Sequence, residues 1–296
     1  MFRSAVAAFV AASLAVALAP GCLAERRTWK PGEPTAETLV YLVTADMGYL
    51  VPVTVPLPRA GREREAARLV VEWEAGGPLR SPFPGGCILR SFRVEGATAH
   101  VEVSGRNGAH PDSPAPRAAD ALAWTLTEFP GVTRVSLDAW GARTGPAPRP
   151  PFLNRDGPAP WDCSMKLVLW FGYRGYSVPV TRFVPRTVFP HWSAVEQLAL
   201  GPPGGSPFER PLPEGVEILG VRVEGGVCTV NVSTGTDPRS AAGLSVRSVV
   251  LTLTEFLDVR AVRILVNGRS GIPLQGAVSG EPLGRGRINP VSVGLH

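Results

Sequence analysis

Four cysteines, four histidines and two glutamates within a repeated pentapeptide are the residues of this 296-residue chain whose types could do chemistry. Cys22, Cys87, Cys163 and Cys228 contain no Cys-x-x-Cys pair, so a thiolate zinc site has no ligand set at workable spacing. His100, His110, His191 and His296 show no metal-binding spacing. The run Gly201-Pro202-Pro203-Gly204-Gly205-Ser206 is glycine-rich, but it lacks a lysine and follows a helical pattern, which makes it a helix stop rather than a phosphate loop. Glu128 and Glu255 remain, each the fourth residue of the sequence TLTEF at the end of a helical stripe. A carboxylate in the last turn of a helix opposes the macrodipole by roughly 0.3–1 kcal/mol, so something must offset it twice. A hydrogen bond or ion pair would do so, with Arg134 a candidate in the first copy. Acid–base catalysis would need a second convergent carboxylate or histidine, and none recurs beside both copies. The residues therefore point to no catalytic, cofactor-binding or metal site, and to no cofactor.

The two TLTEF segments lie 127 positions apart, and the same shift carries Gly48-Tyr49-Leu50-Val51-Pro52-Val53-Thr54 onto Gly175-Tyr176-Ser177-Val178-Pro179-Val180-Thr181. At this period a repeat means two sibling domains rather than a solenoid. The units run over 36–143 and 164–268, joined by a Pro-rich linker at 144–163 whose composition predicts an extended, semi-rigid spacer. Residues 269–296 form a C-terminal extension. Within the first unit the periods predict a hairpin from Leu39–Val43 and the VPVT phrase, then a helix on the stripe Ala66, Leu69, Val70 and Trp73. Alternating strands over Ile88–Val94 and Thr98–Ser104, a helix over Arg117–Phe129 and a strand over Arg134–Leu137 follow. Pro52 confines its strand to a sheet edge or a strand start. The fold class is α+β: two tandem homologous domains, each a small antiparallel-rich mixed sheet with two helices on one face, in the order β-β-α-β-β-α-β.

Duplication supplies an internal control. Cys87 and Cys228 align with Val216 and Ala99, so they read as small core residues, with a disulfide among Cys87, Cys163 and Cys228 left open. Leu122, Leu126 and Phe129, like Val249, Leu253 and Phe256, form the inward stripe of the second helix of each unit. Trp124 and its sibling Leu251 point the other way, which marks them as contacts with a neighbouring helix, the other domain or a partner.

The net charge of +5 is scattered among acids and forms no basic track, which argues against nucleic-acid binding. At the N-terminus, Met1-Phe2-Arg3-Ser4 and an apolar run from Ala5 to Ala19 have the form of an export signal, too short to span a bilayer. The following Leu18-Ala19-Pro20-Gly21-Cys22 resembles a bacterial lipobox, so residues 1–22 read as a signal ending at a lipidated Cys22. Cleavage after Ala24, giving a secreted product, is the alternative.

Taken with the YxVPVT phrase, the helix ending at Gly201-Pro202, Leu212-Pro213-Glu214-Gly215-Val216, Val223-Glu224-Gly225-Gly226-Val227 and the LTLTEF helix end, this exported chain resembles the tandem GerM-domain lipoproteins of sporulation and spore germination. The resemblance covers about residues 36–290 and is closer in the second copy. It implies a non-enzymatic scaffold or interaction protein on the outer face of the cytoplasmic membrane. Its partners would be proteins of the sporulation or envelope apparatus, with Trp124, Leu251, Glu128, Glu255, Tyr49 and Tyr176 as structural or interface residues and Cys22 as the lipid attachment. A peptidoglycan-binding or processing protein is the alternative.

Overall fold

Two β-hairpins set the architecture. The computed structural model describes residues 34–74, 77–106, 117–233 and 242–291. The first repeat runs β1 (Thr35–Thr44), β2 (Leu50–Pro58), α1 (Arg62–Glu72), β3 (Leu79–Arg80), β4 (Cys87–Glu95), β5 (Thr98–Gly105), α2 (Ala118–Leu126), β6 (Arg134–Ala139) and β7 (Ala142–Arg143). The segment joining the repeats contributes β8 (Arg155–Asp156). The second repeat runs β9 (Ser164–Tyr173), β10 (Tyr176–Pro185), α3 (Pro190–Leu200), β11 (Glu217–Glu224), β12 (Val227–Ser233), α4 (Val246–Leu253) and β13 (Ala261–Val266). Short pairs close the chain at β14 (Pro273–Leu274), β15 (Ala277–Val278) and β16 (Leu283–Gly284). All these elements fall in one compact unit.

The α+β order is as the periods predict, with one refinement: the strands of each repeat form two sheets rather than one. In the first repeat the sheets are β2-β1-β3 and β4-β5-β6-β7, and in the second β8-β10-β9 and β11-β12-β13-β16. The larger sheets are mixed, because β5 runs parallel to β6 and β12 parallel to β13 across the helical crossovers. Helices α1 and α2 pack on each other and touch both sheets of their repeat, as α3 and α4 do in theirs. Leu42, Leu50, Leu122 and Leu126 are buried in the first core, and Leu169, Phe171, Leu198 and Leu253 in the second.

A proline fixes the hydrogen-bonding phase of each hairpin. Pro52 stands opposite Tyr41 in the antiparallel β1–β2 ladder, and Pro179 stands opposite Trp170 in β9–β10. Having no N–H, proline cannot join a doubly hydrogen-bonded pair, so these are the non-hydrogen-bonded kind. The N–H groups of Tyr41 and Trp170 then face away from the hairpin on one side, and the carbonyls of Pro52 and Pro179 face away on the other. Each needs a partner that is not the hairpin's own strand.

The joining segment does more than span a gap. Ala147 and Val135 exchange two backbone hydrogen bonds, and β8 pairs in parallel with β10 through Thr181–Arg155 and Arg182–Asp156. Arg182, largely buried, pairs with Asp156 at 2.6 Å and donates to the carbonyls of Gln197 and Gly201. It thereby binds the joining segment to the C-terminal end of α3, where Arg210 also donates, to Ala199 O.

Candidate functional site: helix ends and the repeat junction

The TLTEF sequence is a helix-docking device. Thr125 Oγ1 accepts the outward N–H of Tyr41 at 3.0 Å, and Thr252 Oγ1 accepts that of Trp170 at 2.9 Å. Both bonds are buried, so a helix side chain supplies what another strand would supply in a continuous sheet. The next threonine bonds back to its own helix: Thr127 donates to Ala123 O and Thr254 to Val250 O, each at 2.7 Å. The first of these helices ends at Leu126 rather than Phe129, leaving Glu128 just beyond it.

Glu128 Oε1 accepts from the Tyr41 hydroxyl at 3.3 Å and from Arg149 Nη1 at 3.1 Å. Glu255 Oε1 accepts from Trp170 Nε1 at 3.0 Å and from Arg285 Nη2. The partner of Glu128 is thus Arg149 of the joining segment, not Arg134. Arg134 lies close in sequence, but it stands exposed at the start of β6. The Arg149 guanidinium also stacks 4.6 Å from the Trp124 ring, and that of Arg285 lies 5.5 Å from the Trp170 ring. Burial first, and then the neighbouring Glu128 carboxylate, raises the Tyr41 phenol well above the ordinary tyrosine range. It is a fixed donor to Glu128, with no tendency to act as a base.

On the opposite edge of the hairpins lies a feature that the repeat comparison missed. Two aliphatic–asparagine pairs, Leu153-Asn154 and Ile288-Asn289, follow the two repeats, and each docks on the hairpin of the other repeat. Thr181 donates its N–H and hydroxyl to Leu153 O, the hydroxyl bond being 2.9 Å. Thr54 does the same to Ile288 O, with a hydroxyl bond of 2.7 Å. The two asparagine side chains then bridge the repeats. Asn154 accepts from Leu50 N at 2.7 Å and donates to Leu50 O at 2.6 Å and Pro179 O at 2.8 Å. Asn289 accepts from Ser177 N at 2.8 Å and donates to Ser177 O and Pro52 O, both at 2.7 Å. Asn154 is 1% exposed and Asn289 4%, and both take positive φ, 50° and 45°, a region asparagine tolerates better than most residues. The repeated VPVT phrase now has a cause: its proline turns a carbonyl toward an asparagine amide, and its threonine holds the residue before that asparagine.

Of the sequence candidates, Tyr49 reaches the junction, its ring 4.5 Å from that of Phe208 in the second repeat. Tyr173 supports the same contact by accepting from Ala45 N and donating to Pro78 O. Burial first, then Asp46 and Asp156, raises the Tyr49 phenol. Tyr176 is half-buried at the start of β10, opposite Tyr173 in the hairpin. Trp124 is half-buried against Tyr41, 5.6 Å between ring centres, beneath Arg149. Leu251 is 3% exposed, so it offers no free surface, and its carbonyl accepts from Arg285. Cys87, Cys163 and Cys228 are free thiols, with Cys87 and Cys228 buried. Burial, with a smaller contribution from Asp258, pushes the Cys228 thiol up to about 12. Cys22, His110 and His296 lie outside the described residues. Among the described residues no three His, Cys, Asp or Glu side chains gather as a metal site.

The repeats differ in their exposed surface. Val188 is 84% and Phe189 69% exposed just before α3, and Leu257 is fully exposed after α4. Contact of His191 with Asp258 at 3.1 Å and with the Phe256 ring at 4.5 Å brings these loops together. Aligned on the starts of α1 and α3 and on TLTEF, the corresponding first-repeat positions are Ala60, Gly61 and Pro130.

Two copies of one α+β unit, each locked by the other's trailing segment, define a tandem-domain protein whose shared polar groups are engaged in packing. A family model described as "Germane: Sporulation and spore germination" matches residues 39–144 and 169–271, and the chain belongs to that family. It is 24% identical over 267 residues to the spore germination protein GerM of Bacillus subtilis (strain 168), covering 78% of this chain and 71% of that protein. The solved tandem GerMN domains of the sporulation protein GerM from Bacillus subtilis share its fold, with a TM-score of 0.62 and 23% identity over 88% of this chain and all of that one.

Proposed function

We propose that the chain is a non-enzymatic scaffold or interaction protein of the sporulation or spore-germination apparatus, held on the outer face of the cytoplasmic membrane by a lipid at Cys22. The observation that carries this reading is that three pairs of equivalent polar groups are consumed by internal bonds. Thr125 and Thr252 dock helices, Glu128 and Glu255 hold arginines, and Asn154 and Asn289 bridge the repeats. None is left aimed at a shared cleft where a reacting group could sit. Family membership and the relatives' names supply the sporulation and germination setting. No helix among the described residues is long and apolar enough to cross a membrane.

The test is metabolic labelling with a fatty-acid analogue, wild type against Cys22→Ala, with fractionation of sporulating cells. The lipid should label the wild type alone, and Cys22→Ala should leave the membrane fraction. Label on both proteins, or on neither, would remove the anchor from the proposal. Release of soluble fragments from purified peptidoglycan by the folded protein would replace the scaffold by a wall enzyme.

A further inference from the structure

The two ends of the molecule are siblings that carry different residues. In the first repeat Arg59 N donates to Pro34 O, where the chain arrives from Cys22, and in the second Arg186 N donates to Cys163 O in the same way. The second of these ends gathers exposed apolar side chains. Trp161 is 41% exposed just ahead of β9, and Val188 and Phe189 stand out just ahead of α3. The His191–Asp258 contact brings the fully exposed Leu257 beside them. Side chains that stand clear of their neighbours suit a fluid apolar phase, because a protein partner would have to supply a fitted socket for each. Trp, Phe and Leu are also the residues that settle at the boundary between headgroups and acyl chains. The exposed cations Lys166, Arg186 and Arg260 flank this end, Arg260 donating to Gly225 O rather than to a carboxylate. Of the two acids there, Asp258 is held by His191, which leaves Asp162 against the three cations. That balance complements an anionic headgroup layer.

The junction fixes where this end lies. Asn154 joins Leu50 to Pro179 and Asn289 joins Ser177 to Pro52, so β2 and β10 run side by side in opposite directions. Leu50 and Pro52 are the siblings of Ser177 and Pro179, so each bridge maps onto the other when the repeats are exchanged, which is the mark of an approximate two-fold axis between the strands. From there β2 continues to Pro58 and β10 to Pro185, and at about 3.3 Å per residue the two ends lie about 45 Å apart. Ends related by a two-fold axis sit at one height along it, so a flat surface normal to the axis meets both together. A lipid at Cys22 tethers the first end alone.

We propose that the second-repeat end, with Trp161, Val188, Phe189 and Leu257 inserted and Arg186 and Arg260 on the headgroups, is a contact site for the anionic surface of a lipid bilayer, so that the chain lies along the membrane. The inference rests on the outer-face location proposed above and not on the lipid itself. A few inserted side chains give reversible binding, so Cys22→Ala still leaves washed membranes.

The experiment uses the mature chain, residues 22–296 with Cys22→Ser, which holds the whole unit from Pro34 to Val293 and carries no lipid. It is sedimented with vesicles of equal parts phosphatidylglycerol and phosphatidylcholine. The expected result is binding that falls on the order of tenfold when Phe189→Ser is combined with Leu257→Ser, since the bilayer takes both side chains out of water. Arg186→Glu combined with Arg260→Glu should weaken binding to the same vesicles, and pure phosphatidylcholine should hold the parent chain less well. An environment-sensitive fluorophore on Leu257→Cys, in the chain also carrying Cys163→Ser, should shift its emission to the blue when the mixed vesicles are added. No sedimentation of the parent chain, binding indifferent to the apolar pair, or an unshifted fluorophore would overturn the proposal. Self-association that the apolar pair abolishes, without vesicle binding, would overturn it too and give the patch to a second copy. Because every chain in the test lacks the lipid, failure here is distinct from failure of labelling at Cys22.

Discussion

Replacing Asn154 is the sharpest test of the junction. Its side chain holds Leu50 N, Leu50 O and Pro179 O at 2.6–2.8 Å in a site only 1% exposed. Truncation orphans these three groups, and an unsatisfied buried polar group costs about 1–3 kcal/mol. Leu50 starts its strand and water can recover part of that loss, so Asn154→Gly should cost about 3 kcal/mol. Asn154→Ala should cost about 1 kcal/mol more, because φ of 50° suits glycine better than alanine. Asn154→Asp keeps the acceptor but turns a carboxylate oxygen toward two carbonyls, and should be at least as damaging as Ala. Urea unfolding followed by tryptophan fluorescence measures all three, against a total stability of about 5–15 kcal/mol for a typical protein. The variants should also uncouple the repeats, broadening the transition or splitting it in two. Three variants within about 0.5 kcal/mol of wild type, unfolding in one unchanged transition, would refute the claim that the asparagine locks the junction.

Glu255→Ala should cost about 1–2 kcal/mol by leaving the buried Trp170 indole N–H without its acceptor, while Glu255→Gln should cost less than half as much in the same unfolding assay. Thiol labelling of the folded chain carrying Cys22→Ser at pH 8 should modify Cys163 alone, with Cys87 and Cys228 reacting only in denaturant, as mass spectrometry will show. Stability should fall as pH rises above 9. The folded pKa values of Cys228 and Tyr41 lie above their ordinary 9.0 and 10.0, so the folded state holds protons that the unfolded chain releases. Their contribution is complete below pH 9 and declines steadily as pH rises toward 12, and Tyr41→Phe should flatten part of the decline in a pH series of thermal unfolding. Phe189→Ser combined with Leu257→Ser should shorten retention on a hydrophobic column while leaving stability within about 0.5 kcal/mol.

What the sequence made legible was whatever the duplication stated twice in the same register. The hairpins, the four helices and the three-strand sets follow from periodicity compared across copies, and the helix predicted to stop at Gly201-Pro202 ends at Leu200. The split into two sheets was not legible, because it depends on which way one N–H points. That follows from the pairing of Tyr41 with Pro52, a register fixed only when the strands meet. Arg149 and Arg285 were hidden for another reason. They hold equivalent glutamates but lie 136 positions apart, away from the shift of 127 that aligned the repeats. Leu153-Asn154 and Ile288-Asn289 are likewise 135 apart, in segments that composition marks as spacer and tail. A search for short echoes at unequal spacing would have found them.

The tails also change what the repeats can be. A proline in a hairpin strand leaves outward groups that the hairpin cannot satisfy, and an uncovered edge of this kind invites another strand. Here each hairpin's edge is completed by the segment that follows the other repeat, and each asparagine spends hydrogen bonds on both hairpins at once. Neither repeat can therefore keep its edge closed alone, and a change to VPVT in one copy would undo the bonds of an asparagine far away in the chain. The exposed side chains of Val188, Phe189 and Leu257 carry no such constraint, and the first repeat has Ala60, Gly61 and Pro130 in their places. The interior of the duplicated unit is bound to its twin, and the loops around α3 and α4 are where the two copies are free to diverge.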